Sequence, residues 1–374
     1  MEPILETLSE LVAIPSVNLA YEGGVTEEIV ASYVQNFFEA RGIGTFRQEV
    51  LPGRSNVIAL LPGRDTSRRI VLEAHMDTVS VSGMTIPPFT PAIRDGRLYG
   101  RGSCDTKAGL AAMMHAVASL REHQFVPACD VWLAAVIDEE FSFQGVLRLC
   151  EDLKADAAIV AEPTELRAVV AAKGVLRSKI RTHGVAAHSA KPHLGVSAIR
   201  HMTPVLQWLE READALAARA HPLLGPGTLS VGTIHGGEQI NFVPDRCEIA
   251  IDRRLIPGED PMAVWAAYRD ELARLPGIQA EMLAPMIADP AMETDVNEAV
   301  VRTAQDALRA QGLDPTPAGV PFGSDASKLA RQGIPSIIFG PGSIDRAHTA
   351  AEYVECDQVA AALEFYREFL RGFR

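Results

Sequence analysis

The sequence predicts an α/β fold, a mostly parallel sheet with helices on both faces, into which a ferredoxin-like α+β domain is inserted. Three observations predict it. Strand-like apolar runs alternate with helically spaced ones at both ends of the chain. Histidines and carboxylates stand just past several strand ends, where a parallel sheet places its site. The middle of the chain changes to alternating strands in the order strand, helix, strand, strand, helix, strand.

Leu5, Leu8, Leu11 and Val12 recur at helical spacing, as do Ile29, Val30, Val34, Phe37 and Phe38, so two helices open the chain. Residues 57–61 and 70–74 read as strands separated by the Pro62-Gly63 turn. A helix runs from Asp105-Thr106 to Leu120, and buried strands span 131–137 and 157–161. In the insert, 174–181, 228–235 and 247–254 alternate as strands, with helices over 195–218 and 261–275. Beyond Pro285 come a helix over 297–311, a buried strand 336–339 and a closing helix 356–371. The expected division is residues 1–172 with 285–374 as the catalytic domain and 173–284 as the insert; it refines a length prior of about two and a half domains.

Lys and Arg number 35 against 48 Asp and Glu, a net charge of −13, which argues against nucleic-acid and anionic-membrane partners. The longest apolar run, 131–137, is far short of the roughly 20 residues of a membrane span. The acidic start, Met1-Glu2-Pro3-Ile4-Leu5-Glu6, does not read as a secretory signal, so a cytoplasmic protein is expected. Five cysteines without CxxC spacing read as reduced, buried thiols.

His75-Met76-Asp77 follows a strand, and period-two alternation puts His75 and Asp77 on one side, as a metal ligand with its orienting carboxylate or as the polar tip of a hairpin. Asp105 stands where it would serve either a site or a helix N-cap. Asp138-Glu139-Glu140 ends a buried strand, and three adjacent carboxylates repel unless a cation compensates. Glu162-Pro163 ends another strand, and His348 lies past Gly340-Pro341-Gly342. Nitrogen and oxygen donors without thiolate suit zinc, with cobalt or manganese as substitutes. Two histidines and three carboxylates are too many for one four-coordinate ion that keeps a water, so two divalent metal ions per chain, about 3.5–4 Å apart, fit the count better. No GxGxxG follows the first strand and no GxxxxGK[ST] occurs, which argues against a nucleotide-binding α/β enzyme.

Taken in order, His75-x-Asp77, Gly100-Arg101-Gly102-x-x-Asp105-x-Lys107, Asp138-Glu139-Glu140, Glu162-Pro163-Thr164 and Ala347-His348-Thr349-x-x-Glu352 resemble the successive motifs of one superfamily. It comprises aminoacylases, acetylornithine deacetylases, succinyl-diaminopimelate desuccinylases and carboxypeptidases G, dinuclear zinc hydrolases with a zinc exopeptidase-like fold. Lesser matches agree: Gly184-x-x-x-His188-Ser189 with Pro192, Asn241-x-x-Pro244, Asp252-Arg253-Arg254 with Pro257-Gly258-Glu259, and Gly323-Ser324-Asp325-Ala326. The resemblance implies that Asp105 bridges two metals, His75 and Glu162 on one, Glu140 and His348 on the other. It further implies that Asp77 orients His75, Glu139 is the general base, and a bridging hydroxide attacks the amide carbonyl. His188 would steady the oxyanion across a homodimer, while Asn241 and Arg254 would grip a substrate carboxylate, with Arg253 a solvated neighbour. Ser197 and Ser324 depart from the common Asn and Thr, which bears on substrate identity. Cys104 resembles acetylornithine deacetylases and equally reads as a small buried filler. The other histidines, His115, His123, His183, His193, His201, His221 and His235, read as surface or packing residues.

The expected activity is removal of an acetyl or succinyl group from the nitrogen of an amino acid. Alternatives are an exopeptidase acting on a dipeptide or C-terminal glutamate, and a catalytically silent relative used for binding. The expected ligand is a small N-acyl amino acid or short peptide.

Overall fold

In the computed structural model, which describes residues 2–374, the chain forms two compact units, each described here by itself. The first comprises residues up to Val170 together with Thr294–Ala318 and Ser324–Arg374; the second comprises Ala171–Glu293 and Gly319–Gly323. The second unit thus reaches further along the chain than 284 and recruits a short segment near 320.

The first unit opens with α1 (Pro3–Ala13) and α2 (Glu28–Glu39), then β1 (Gly44–Leu51), β2 (Arg54–Leu61) and β3 (Asp65–His75). It continues with α3 (Lys107–Glu122), β4 (Cys129–Val136), α4 (Gln144–Cys150) and β5 (Ala157–Val160). The second unit holds β6 (Gly174–His183), α5 (Ala198–Ala217), β7 (Thr228–Gly236), β8 (Arg246–Leu255), α6 (Pro261–Arg274) and β9 (Gln279–Met282). The chain then returns to the first unit with α7 (Ala299–Ala310), α8 (Ala326–Arg331), β10 (Ser336–Ile338) and α9 (Cys356–Gly372).

Strands of the first unit lie in the order β1-β2-β4-β3-β5-β10. The central four, β4, β3, β5 and β10, are mutually parallel, while β1 and β2 add antiparallel at one side. Antiparallel β1 was not foreseen, because Gly44–Leu51 mixes charged and apolar residues and is only partly buried. Ile70, Leu72 and Ala74 join the apolar cluster formed with α1, α2, α3, α7 and α9. Their alternates face the other side, where α4 and α8 pack. Each central strand is therefore covered on both faces, which is why it reads as a continuous apolar run.

In the second unit β7-β8-β6-β9 form an antiparallel sheet. With α5 and α6 in the chain this is the split βαββαβ arrangement. Its core joins Met202, Val205, Trp208 and Leu209 of α5 to Ile249, Ile251, Tyr268 and Leu272. Ser197, one of the departures noted above, caps α5: its hydroxyl accepts the Arg200 N–H at 3.3 Å.

Candidate metal centre

The parallel strands deliver their polar residues to one edge. His75 is the last residue of β3; Asp138 to Glu140 follow β4, Glu162 follows β5, and the chain beyond β10 returns to His348. Asp105 precedes α3, whose N-cap is Thr106, so the carboxylate is not used as a helix cap. Asp138 and His348 both adopt left-handed backbone, φ 68° and 59°, and turn the chain sharply where it enters the site.

Two triplets of donors converge there. His75, Asp105 and Glu162 form one, Asp105, Glu140 and His348 the other; within each triplet the donor atoms lie within 4.8 Å of one another. Asp105 belongs to both. Its Oδ1 is 3.1 Å from His75 Nε2 and its Oδ2 3.1 Å from His348 Nε2, so each oxygen faces one triplet. His348 Nε2 also lies 3.3 Å from Glu140. Glu139 belongs to neither triplet. Adjacent residues leave the backbone in different directions, so Glu139 and Glu140 need not share a role.

Burial and mutual repulsion raise Glu139 and Glu162 well above the usual carboxylate range and lift Glu140 to about 7. Asp105 is held low despite its burial, because His348 and His75 donate to it. Those contacts with Asp105 and Glu140 lift His348 to about 10. His75 is raised too: burial opposes its charge, but Asp105 and Asp77 outweigh it. Such crowding of acids around two imidazoles, with no thiolate in either triplet, fits divalent cations of the zinc type.

Asp77 does more than the sequence suggests. His75 Nδ1 is 3.0 Å from the Asp77 backbone carbonyl and 3.6 Å from its carboxylate. The carboxylate accepts the N–H groups of Glu139 and Glu140, each at 3.1 Å. Glu352 was quoted in a motif without a role. It is fully buried, accepts the Cys104 and Asp105 N–H groups at 2.9 and 3.1 Å, and pairs with Arg101 at 2.6 Å. The buried Lys107 ammonium donates to the Leu11 and Ile14 carbonyls at the end of α1, and burial brings it down to about 7. Asn18 gave no sequence signal, because nothing near it has motif spacing, yet it donates to Asp77 at 2.7 Å.

The remaining site candidates lie in the second unit. A short antiparallel bridge pairs His188 with Phe242, next to Asn241, whose carbonyl accepts the Ser189 N–H at 2.9 Å. His188 is exposed, and its Nδ1 accepts the Ala190 N–H at 3.1 Å. Arg254 stands elsewhere, on β8, with its guanidinium on Asp252 at 2.8 Å. Arg253 is not solvated: its side chain is 1% exposed and pairs with Glu259 at 2.6 Å, because alternation on β8 turns it inward while Arg254 points out. All five cysteines are free, four buried and Cys356 partly so. Cys104 is packed with its Sγ 3.4 Å from the Ser343 carbonyl, and burial raises its thiol. No helix of the described residues is long and apolar enough to cross a membrane.

Residues 71–372 match the model of peptidase family M20/M25/M40. The chain is 32% identical over 369 residues to an acetylornithine deacetylase of Myxococcus xanthus, covering 94% of this chain and 93% of that protein. A solved tripeptidase from Staphylococcus aureus is 25% identical, with a TM-score of 0.80, over 98% of this chain and 97% of its own. A metallo-carboxypeptidase from Sulfolobus solfataricus shares the fold at 21% identity and a TM-score of 0.80, over 100% and 99%.

Proposed function

The chain belongs to peptidase family M20/M25/M40 and is a hydrolase of amide bonds; from that premise we propose that it removes an acetyl or succinyl group from the nitrogen of an amino acid. The observation that carries this reading is the pair of donor triplets sharing Asp105, with Glu139 beside them but in neither. His75, Asp105 and Glu162 would hold one divalent ion, and Asp105, Glu140 and His348 the second, most simply zinc, with cobalt or manganese able to substitute. Such ions supply Lewis acidity toward an amide carbonyl and lower the pKa of water. Glu139 removes a proton from the attacking water and returns it to the departing amine nitrogen. Asp77 keeps both acids of the 139–140 turn in place through their backbone N–H groups.

His188 supplies a donor to the developing oxyanion, and Asn241 and Arg254 bind the substrate carboxylate, which a guanidinium can grip through two N–H groups. A homodimer is favoured by β7, an edge strand exposed at nearly every position that displays Ile234 and Val231. An active monomer in sedimentation would remove His188 from any role in a partner's site.

The 32% relative favours a deacylase, and the 25% identical tripeptidase favours an exopeptidase as the second reading. A turnover screen with zinc or cobalt over N-acetylornithine, N-succinyl-diaminopimelate, other N-acyl amino acids and short peptides separates them. Release of acetate or succinate is expected. Release of amino acids from peptides alone supports the second reading. Two bound ions without turnover of any amide would mark a binding relative.

A further inference from the structure

Behind the metal centre the first unit carries a buried polar chain that joins Asp77 and Asp138 to three residues outside every site motif, Asn18, Glu27 and Arg54. The Asn18 amide spends its two N–H groups on two different carboxylates: 2.7 Å to Asp77 Oδ2 and 2.9 Å to Asp138 Oδ1. The same Asp138 oxygen accepts Arg54 Nη2 at 3.1 Å, and Arg54 Nε donates to Glu27 at 2.8 Å. Asn18, Glu27, Arg54, Asp77 and Asp138 are all buried. Three carboxylates thus share one guanidinium and one amide, an arrangement costly to leave incomplete.

Its geometry has a direction. Asp138 is the left-handed residue that turns the chain after β4, and its other carboxylate oxygen accepts the Ser142 hydroxyl. Fixing its side chain on both oxygens fixes the turn whose next two residues are Glu139 and Glu140. The loop bearing Asn18 is itself anchored: Asn18 N–H donates to the Thr78 carbonyl and Thr78 N–H to the Ser16 carbonyl, both at 2.9 Å. Gly24 closes the loop so tightly that a Cβ there would sit 2.4 Å from the Asn18 carbonyl oxygen. From the same loop the Tyr21 hydroxyl donates to the Glu140 carbonyl at 3.0 Å.

We propose that Asn18 and Arg54 are positioning residues of the metal centre, clamping Asp138 and Asp77 so that the 138–140 turn presents Glu140 to the ion and Glu139 to the water. The inference rests on the two-ion reading above. Groups bonded directly to a ligand typically govern metal affinity by roughly 10–100-fold. Asn18 and Arg54 act one step further out, through Asp77 and Asp138, which places their effect at the lower end of that range. Arg54 is suited to the task because its fork reaches Glu27 and Asp138 together, which a lysine ammonium does with poorer geometry.

Cobalt titration of the full chain against a competing chelator, read by the visible absorption of the bound ion, tests this. Asn18→Leu and Arg54→Met are expected to weaken the second cobalt by roughly 10-fold and alter its absorption band, with kcat falling and KM little changed. Arg54→Lys should restore part of the affinity. Should Asn18→Leu or Arg54→Met fail to fold, Tyr21→Phe, which deletes one hydroxyl from the same loop, is expected to shift the same band to a smaller degree. Variants that melt earlier yet bind two cobalt ions with wild-type affinity and spectrum would overturn the proposal and leave the two-ion reading intact. Wild-type protein that takes up fewer than two cobalt ions would overturn both.

Discussion

Two histidines of the first unit, one buried and one half-buried, have opposite surroundings. His75, at the end of β3, faces Asp105 and Asp77, and its proton affinity is raised despite burial. His115, on α3, lies against Phe37 with ring centroids 5.1 Å apart and makes one bond, 2.8 Å from Nε2 to the Thr7 hydroxyl. Burial, with Arg41 and Arg367 adding to it, lowers His115 to about 4. The residue type is the same; the neighbours decide whether a charge is gathered or refused. At the carboxyl ends of the strands acids are packed together as only a cation would reward, whereas the helical layer tolerates an imidazole because it stays neutral.

The most severe way to break this contrast is to remove the acid both triplets share. Asp105→Asn is expected to bring bound zinc from two ions per chain to one or none and turnover below detection, read by elemental analysis and by assay. Unchanged zinc content would show that Asp105 does not join the triplets. Next in size is Glu139→Gln, which keeps both triplets and removes the proton carrier. It should retain two ions and lose roughly 10²–10⁴-fold in kcat. Full turnover by that variant would end the assignment of Glu139.

A third change probes the layer behind the ligands. Glu352→Gln keeps the shape but strips the charge from the buried partner of Arg101, and breaking such a pair costs about 3–5 kcal/mol. The melting temperature is expected to fall, together with zinc affinity, since Glu352 also holds the Asp105 N–H. Lower stability with unchanged zinc affinity would confine Glu352 to the fold.

What the sequence disclosed follows the same division. The central strands were legible because burial on both faces makes 131–137 and 157–161 continuously apolar, and observed strands overlie both. His75, Glu140 and Glu162 stood out because each lies at or just past the end of such a run, whereas Asp105 and His348, in loops, were singled out by the ordered motifs of the family resemblance. Strand β1 was not, since an edge strand only partly buried carries no clear period. Nor were the groups that hold the ligands in place. Asn18, Arg54 and Glu352 act on the site from residues 59, 84 and 247 positions away in the chain, and no local pattern encodes such a meeting. Arg253 and Arg254 show the limit at its narrowest: adjacent and chemically identical, they are separated only by which face of β8 each occupies.

The smallest expected effect lies on the apolar side of the comparison. His115 titrates at about 4 when folded and near 6.5 when unfolded, so between those values the unfolded chain binds the extra proton. Its contribution to stability is therefore complete above about pH 6.5, shrinks as the pH falls toward 4, and changes no further below that. The full shift would correspond to about 3 kcal/mol, and the partial exposure of the ring reduces this to about 1–2 kcal/mol. His115→Phe keeps the ring against Phe37 and loses the bond to Thr7. The variant is expected to be slightly less stable at pH 8, to lose less stability than wild type between pH 6.5 and 4, and to hold the same zinc. Urea titrations across that range measure the difference. Parallel pH profiles for the two proteins would mean that His115 carries its proton in the fold, and the contrast with His75 would then be one of degree.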